Sequence, residues 1–354
     1  MAKVTLQSIA DKVGVSRMTV SNAFSRPDQL SAAMRERILT TAAELGYVGP
    51  DPAARALARG RTGAVGLLFN GPISEAFEDQ VAAETVAAVG DELGRRGLAL
   101  TILPPPPDET FIPARDVVID GALVYACDPS SAGVAWLARR QIPLVAMDQD
   151  FGADVPAVRI DDRGGARAGA QHLLDLGHRR IGMLTIDPGS DTGDGPAANY
   201  VSRERIAGWR EPLGADHEVA IAYAPYKRHD DVVAAATRLL TEHDVTAVLC
   251  FSDAFARALY AAADAVGRAI PEDLSVVGFD DNPLGLTLVP PLTTVRQDVS
   301  AKGRLAVTAL ADLLQGRSVT TQVLPTELVV RDSTAPPSGA RVNPSARRGS
   351  PRTR

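Results

Sequence analysis

Leu6, Ile9, Ala10 and Val13 fall at i, i+3, i+4 and i+7, one apolar stripe of a helix. Thr5 precedes the stripe as a cap, and Gly14 follows it where a left-handed backbone is cheap only for glycine. Ser16 caps a second helix with Val20, Ala23 and Phe24 inward, which leaves Arg17, Met18, Ser21 and Asn22 on its outer side. Ser31 opens a third, with Met34, Ile38, Ala42 and Leu45 inward and Gly46 as its stop. Two helices joined by a tight turn and backed by a third read as a helix-turn-helix head, a unit that lays its second helix in the DNA major groove. The plainer alternative, a small helical bundle with a polar face, does not account for spacing and caps that coincide over three helices.

Asp51, Pro52 and Gly60 then mark the cap, first position and end of a two-turn helix. Alone in water that length is marginal, so the segment is expected to be helical only when docked; the alternative is a flexible Ala/Arg linker. From Ala64 the pattern changes to short apolar runs alternating with amphipathic helices. Strands are expected at 64–69, 98–103, 121–126, 143–147, 180–186, 219–223, 247–251 and 275–279. Helices are expected at 75–96, 131–140, 163–176, 201–209, 229–243, 253–266 and 299–314. Such alternation makes parallel sheets covered on both faces, and the strands are too many for one sheet. The fold expected is therefore an all-α head followed by an α/β body of two doubly wound lobes. Ligands in such sheets bind beyond the carboxyl ends of the strands, here in the cleft between the lobes.

Charge sharpens this division. Residues 1–61 hold nine Lys/Arg against five acids, a balance of +4. The formal charge of the chain is −6, so the remainder carries −10. A basic head on an acidic body fits phosphate binding at one end. The 354 residues, 45% hydrophobic and 23% charged, suit two or three globular domains. No apolar run is long enough to span a bilayer, and the amino terminus lacks the apolar stretch of a signal peptide, so a cytoplasmic protein is expected. Cys127 and Cys250 lie far apart and read as small buried residues. From Ser338 onward the chain holds five Arg and no acid and is expected to be disordered.

The chain resembles the LacI/GalR family of transcriptional regulators over nearly all of residues 3–331. The resemblance is carried by residues 4–23, Leu45-Gly46-Tyr47-Val48, Asp161-Asp162 with Gly169, and residues 172–181 (His172 through Gly177-His178-Arg179-Arg180-Ile181). Further on come Arg203-Glu204-Arg205-Ile206-Ala207-Gly208-Trp209, Ser252-Asp253-Ala254, Ser275-Val276-Val277-Gly278-Phe279-Asp280-Asp281 and residues 290–295. It implies a homodimer reading two half-sites of a near-palindromic operator, and a body like the periplasmic sugar-binding proteins, with chain crossings near residues 160, 290 and 320.

The division it implies is a helix-turn-helix domain at 1–48, a hinge at 49–61, a body at 62–331 and a disordered tail at 332–354. Within the body, 62–160 with 291–319 form one lobe and 161–290 with 320–331 the other. Arg17, Met18 and Asn22 are the implied base readers: Arg pairs with guanine and Asn with adenine, while Met18 offers apolar contact. Thr5, Leu6, Ser16, Thr19, Ser21 and Tyr47 would meet the backbone. Leu57 matches the family's hinge leucine, a minor-groove wedge. In the cleft the resemblance points to Asp148, Arg205 and Asp280, then to Ser74, Phe77, Tyr125, Ser252 and Phe255 as walls. Carboxylates accept from sugar hydroxyls, and Arg supplies a fork of donors.

The expected function is a repressor released from its operator by a sugar-like effector, a polyol or nucleoside included. Corepression or activation is the nearer alternative and a solute-binding protein the remote one. No catalytic, cofactor or metal site is expected: no phosphate loop, nucleophile elbow or metal-spaced cluster stands out. His178, at a helix-to-strand turn, reads as structural. The prolines at 104–107 and the Gly/Asp-rich stretch 187–199 depart from the family pattern at the cleft rim.

Overall fold

Side-chain caps set the head. Thr5 Oγ1 accepts the Ser8 N–H, Ser16 Oγ the Thr19 N–H and Ser31 Oγ the Met34 N–H, starting α1 (Leu6–Val13), α2 (Arg17–Ser25) and α3 (Ala32–Glu44). Gly14 takes φ 79° in the turn between the first two, as that turn requires. Ile9, Val20, Ala23, Ile38 and Ala42 close one small core, with the Phe24 and Tyr47 rings edge to face at 5.6 Å. Leu6 packs against this core as well. Asp51 then accepts two N–H groups to open α4 (Pro52–Arg59), which Gly60 ends. The hinge expected to be helical only when docked is thus a helix in this computed structural model, which describes residues 4–49, 51–69, 71–105, 110–186, 200–214, 217–225 and 228–338.

Residues 4–63 and the body from Ala64 are separate compact units. The body's first half runs β1 (Ala64–Phe69), α5 (Ile73–Glu78), α6 (Gln80–Arg95), β2 (Ala99–Leu103), α7 (Pro113–Asp116), β3 (Gly121–Tyr125), α8 (Ala132–Arg139), β4 (Leu144–Met147) and β5 (Ala157–Ile160). The second half runs α9 (Asp162–Asp175), β6 (Arg180–Ile186), α10 (Tyr200–Arg210), β7 (Glu218–Ala224), α11 (His229–Glu242), β8 (Ala247–Cys250), α12 (Asp253–Ala265), β9 (Ser275–Asp280), α13 (Pro283–Thr287) and β10 (Thr293–Arg296). The chain returns through α14 (Val299–Leu314) and β11 (Gln322–Leu324) to β12 (Glu327–Val329). Two six-stranded sheets result, ordered β11-β5-β4-β3-β1-β2 and β12-β10-β9-β8-β6-β7. All pairings are parallel except β10 with β12.

Alternation along the strands fills both faces. In the first sheet Leu67 and Leu123 face α6 and α14, while Leu68 and Val124 face the other way. In the second, Met183 and Leu249 meet Leu173 and Trp209, while Leu184 and Val248 meet Leu239 and Leu259. α9 and α10 approach closely through Gly208, where a Cβ would lie 2.2 Å from the Arg163 carbonyl oxygen. Gly208→Ala must therefore push these helices apart. It is expected to destabilise the body by about 1–3 kcal/mol or more, read from the urea midpoint at unchanged m-value.

Three expectations change. The helix expected at 75–96 breaks at Asp79, whose extended backbone and carboxylate cap α6 through the Val81 and Ala82 N–H groups. The lobe boundaries move: β10 pairs with β9 and β11 with β5, so the second and third crossings fall at 297–298 and 325–326, not near 290 and 320. The disordered tail cannot begin at 332. Ser333 Oγ donates to the Val276 carbonyl and accepts the Thr293 N–H, and the Ala335 N–H reaches Ser275 Oγ. His178 joins that clamp through Thr246 and the Ala335 carbonyl, the structural role expected of it. Cys127 and Cys250 are both buried. Stretch 187–199 and residues 106–109 lie outside the described residues.

Candidate functional site

Every group expected in the cleft lies at or beyond the carboxyl end of a parallel strand, or on a helix beside it. Asp148 follows β4 in a left-handed conformation (φ 54°), and Asp280 ends β9 at φ 114°. Arg205 comes from the buried side of α10. The structure joins these three into one buried polar chain. Asp148 Oδ2 accepts from Lys302 Nζ at 2.5 Å, and Lys302 also donates to Gln297 Oε1 at 3.2 Å. Gln297 Nε2 donates to Asp280 Oδ1 at 2.7 Å. Arg205 lies 3.6 Å from that oxygen, donates to Asp162 Oδ1 at 2.9 Å and donates to the Phe251 carbonyl. Its guanidinium stacks 3.6 Å from the Phe279 ring centroid. Because Gln297 sits in the crossing between lobes, the chain runs from one lobe to the other. Asp148 Oδ1 and Asp162 Oδ2 are buried without a hydrogen-bond partner.

A cavity of about 390 Å³ opens beside this chain. Glu78, Asp79 and Gln80 line it from the first lobe, and Ser252, Phe255, Asp280 and Asn282 from the second. Of the other expected wall residues, Tyr125 is half-buried with Lys302 Nζ 5.9 Å from its ring centroid. Ser252 caps α12 through the Phe255 N–H. Ser74 and Phe77 are exposed on α5 and do not line this cavity. Sequence reasoning did not single out Gln297, Asp162 or Lys302 for the cleft. Lys302 had a readable signal, a lysine on the apolar stripe of α14.

Burial dominates the electrostatics. It pushes Asp280 well above the usual carboxylate range against the pull of Arg205, and lifts Asp162 from 3.8 to about 6. Between about pH 4 and 6, Asp162 therefore holds a proton in the folded protein that the unfolded chain has released. The stability it contributes is fully present below about pH 4 and is lost as pH rises through about 6, a change of about 3 kcal/mol at most. Melting temperatures over about pH 5 to 7 check this: wild type is expected to lose ground against Asp162→Asn as pH rises.

On the head, α2 presents Arg17 and Met18 to solvent, Met18 69% exposed. Ser21 and Asn22 are half-buried, and Asn22 Nδ2 donates to Gln29. Thr5 and Ser16 spend their oxygens as helix caps, with Thr19 beside Ser16 at 2.8 Å. Tyr47 is half-buried on Phe24. Leu6, at the start of α1, is half-buried with its side chain packed on the core. Leu57 is 86% exposed on α4. Three of the nine cations support the head itself, Arg35 and Arg37 on the Ala23 and Val13 carbonyls and Lys12 on Glu44.

Residues 5–49 match the bacterial regulatory proteins of the lacI family, and residues 170–334 a periplasmic binding protein-like domain. The HTH-type transcriptional regulator IpsA of Corynebacterium glutamicum is 35% identical over 339 residues, covering 90% of this chain and 94% of that protein. The chain belongs to the LacI family. Among solved structures, a complex of the transcriptional regulator CelR with cellobiose aligns at TM-score 0.67 and 30% identity, covering 94% of this chain and all of that one. The Lac repressor dimer bound to operator and the anti-inducer ONPF aligns at TM-score 0.79 and 25% identity over the same shares. This LacI-family chain is thus a transcriptional regulator that binds operator DNA through its helix-turn-helix head.

Proposed function

We propose that this regulator is a homodimeric repressor, released from its operator when a neutral, sugar-like compound enters the cleft. One observation carries the reading: a buried polar chain crosses both lobes yet leaves two carboxylate oxygens unmet. A buried acceptor without a donor is costly, and ligand hydroxyls supply donors. Glu78, Asp79 and Asp280 face Arg257 and His229 on the cavity lining, while Asp148 and Asp162 beside it are paired with Lys302 and Arg205, so acids still outnumber cations and an anionic effector is disfavoured. The CelR–cellobiose complex supports a sugar class, and the Lac repressor dimer on its operator supports paired heads. An effector moves such a protein only through its different affinity for two lobe arrangements, and a chain that crosses between lobes makes that affinity depend on their closure.

In the head, Arg17 and Asn22 read base edges and Met18 makes apolar contact. The ends of α1 and α2, with Thr5, Leu6 backbone, Ser16, Thr19, Ser21 and Tyr47, fix register on phosphates. Leu57 wedges into the minor groove. Arg17→Ala is expected to cost about 1–3 kcal/mol on the cognate operator and to relax preference at one base position, measured by anisotropy over single-base operator variants. The same assay, titrated with sugars, polyols and nucleosides, tests the whole reading. Operator affinity that falls with one of them supports release; affinity that rises makes the compound a corepressor; affinity unmoved by any of them sinks the proposal.

A further inference from the structure

We infer that Lys302 is a specificity-determining contact of the effector, acting with Asp148 as a paired donor and acceptor for two adjacent hydroxyls of a neutral polyol. The inference rests on the cleft reading above. α14 buries Val299, Gly303, Ala306, Val307 and Leu310 on one stripe, and Lys302 lies on that stripe at 1% exposure. A helix face packed on a sheet ordinarily holds apolar residues, and a lysine is almost never fully buried unless paired. Departures from pattern of this kind concentrate at functional positions.

The pair itself is incompletely used. An ammonium has three donors, and Asp148 Oδ2 and Gln297 Oε1 take two of them. Asp148, itself 6% exposed, accepts on Oδ2 and leaves Oδ1 buried without a partner. A donor and an acceptor are thus held side by side, rigidly, since the Asp148 backbone and the α14 helix fix both. The pair is joined to the cleft through Gln297, which accepts from Lys302 and donates to Asp280, a residue that lines the cavity. A hydroxyl both donates and accepts. Of two neighbouring hydroxyls, one donates to Asp148 Oδ1 while the other accepts from Lys302. An apolar ligand meets neither need. A phosphate satisfies Lys302 but faces three carboxylates.

The test uses the full chain. Calorimetric titration with aldopentoses, aldohexoses, their disaccharides, and cyclic and acyclic polyols identifies the strongest binder, and its monodeoxy analogues are then titrated one hydroxyl at a time. The expected result is that removing either member of one adjacent pair weakens binding at least tenfold. In the double variant Asp148→Asn/Lys302→Met, which strands no charge, the same removals are expected to cost less than threefold, with a cooperative melt as fold control. Lys302→Arg, which keeps a donor, is expected to retain the wild-type pattern. A double variant that discriminates among the analogues as wild type does overturns the inference and leaves the cleft reading standing. Should that variant fail to fold, a wild-type deoxy scan with no adjacent pair overturns it alone. If no compound binds at all, both readings fall together.

Discussion

Arg205→Met is expected to destabilise the body by about 3–5 kcal/mol, the cost of breaking a buried ion pair from one side. Arg205 is 4% exposed, donates to Asp162 and the Phe251 carbonyl, pairs with Asp280 and stacks on Phe279. Methionine refills the apolar space beside the ring but supplies no donor. Two buried carboxylates then lose their cation, and burial already lifts both. They escape the charge by binding protons, so the stability gap between variant and wild type is expected to narrow as pH falls. Urea unfolding followed by tryptophan fluorescence measures this directly, because Trp209 packs in the core of the same lobe. A gap below about 1 kcal/mol at neutral pH would mean that water reaches these charges and that the chain is no sealed network.

What the sequence made legible follows the strength of local signals. The head was readable almost residue by residue because its caps are short-range: Thr5, Ser16 and Ser31 act on backbone three residues away. The apolar strands β1, β3, β6, β8 and β9 were readable from their own composition. β5, β10, β11 and β12 were not. They are three or four residues long, hold polar residues such as Arg159, Thr293, Gln322 and Glu327, and exist by pairing with strands far away. Missing them displaced two lobe crossings. The break at Asp79 was hidden because an apolar periodicity continues across it, while its cap depends on a carboxylate that could equally have faced water.

The cleft divides in the same way. Asp148, Arg205 and Asp280 came from motif resemblance, and the structure brings them into one buried chain. Of the members that connect them, Gln297 lies in the second crossing and Lys302 just after it, and the sequence reading had set that crossing several residues too early. A polar side chain on a helix stripe is visible in sequence, but the carboxylate that neutralises it lies 154 positions away. Long-range pairing of this sort is what tertiary structure adds to the pattern.

Asp280→Asn is expected to raise the effector concentration for half-release from the operator by roughly 10–30-fold, about 1.4–2 kcal/mol. The substitution keeps shape, and Asn tolerates positive φ about as well as Asp, so the turn at φ 114° is retained. What changes is that one carboxyl oxygen becomes an amide nitrogen, which donates and cannot accept. A hydrogen bond lost at a buried site costs about 1–3 kcal/mol when its partner is left unmet. Arg205 also loses its contact with a second carboxyl group, so the link between lobes weakens with the ligand contact. The head, a separate unit, keeps its contacts, and unliganded operator affinity is expected to stay within about threefold of wild type, about 0.7 kcal/mol. Linkage adds a second readout. If effector lowers operator affinity by some factor, operator must lower effector affinity by the same factor, so calorimetry with and without operator gives the coupling independently. A variant with weaker effector binding but undiminished coupling would confine Asp280 to ligand contact; a fall in both would assign it to the lobe-to-lobe link as well. Wild-type release by the Asn variant at wild-type concentrations would remove Asp280 from the effector site altogether.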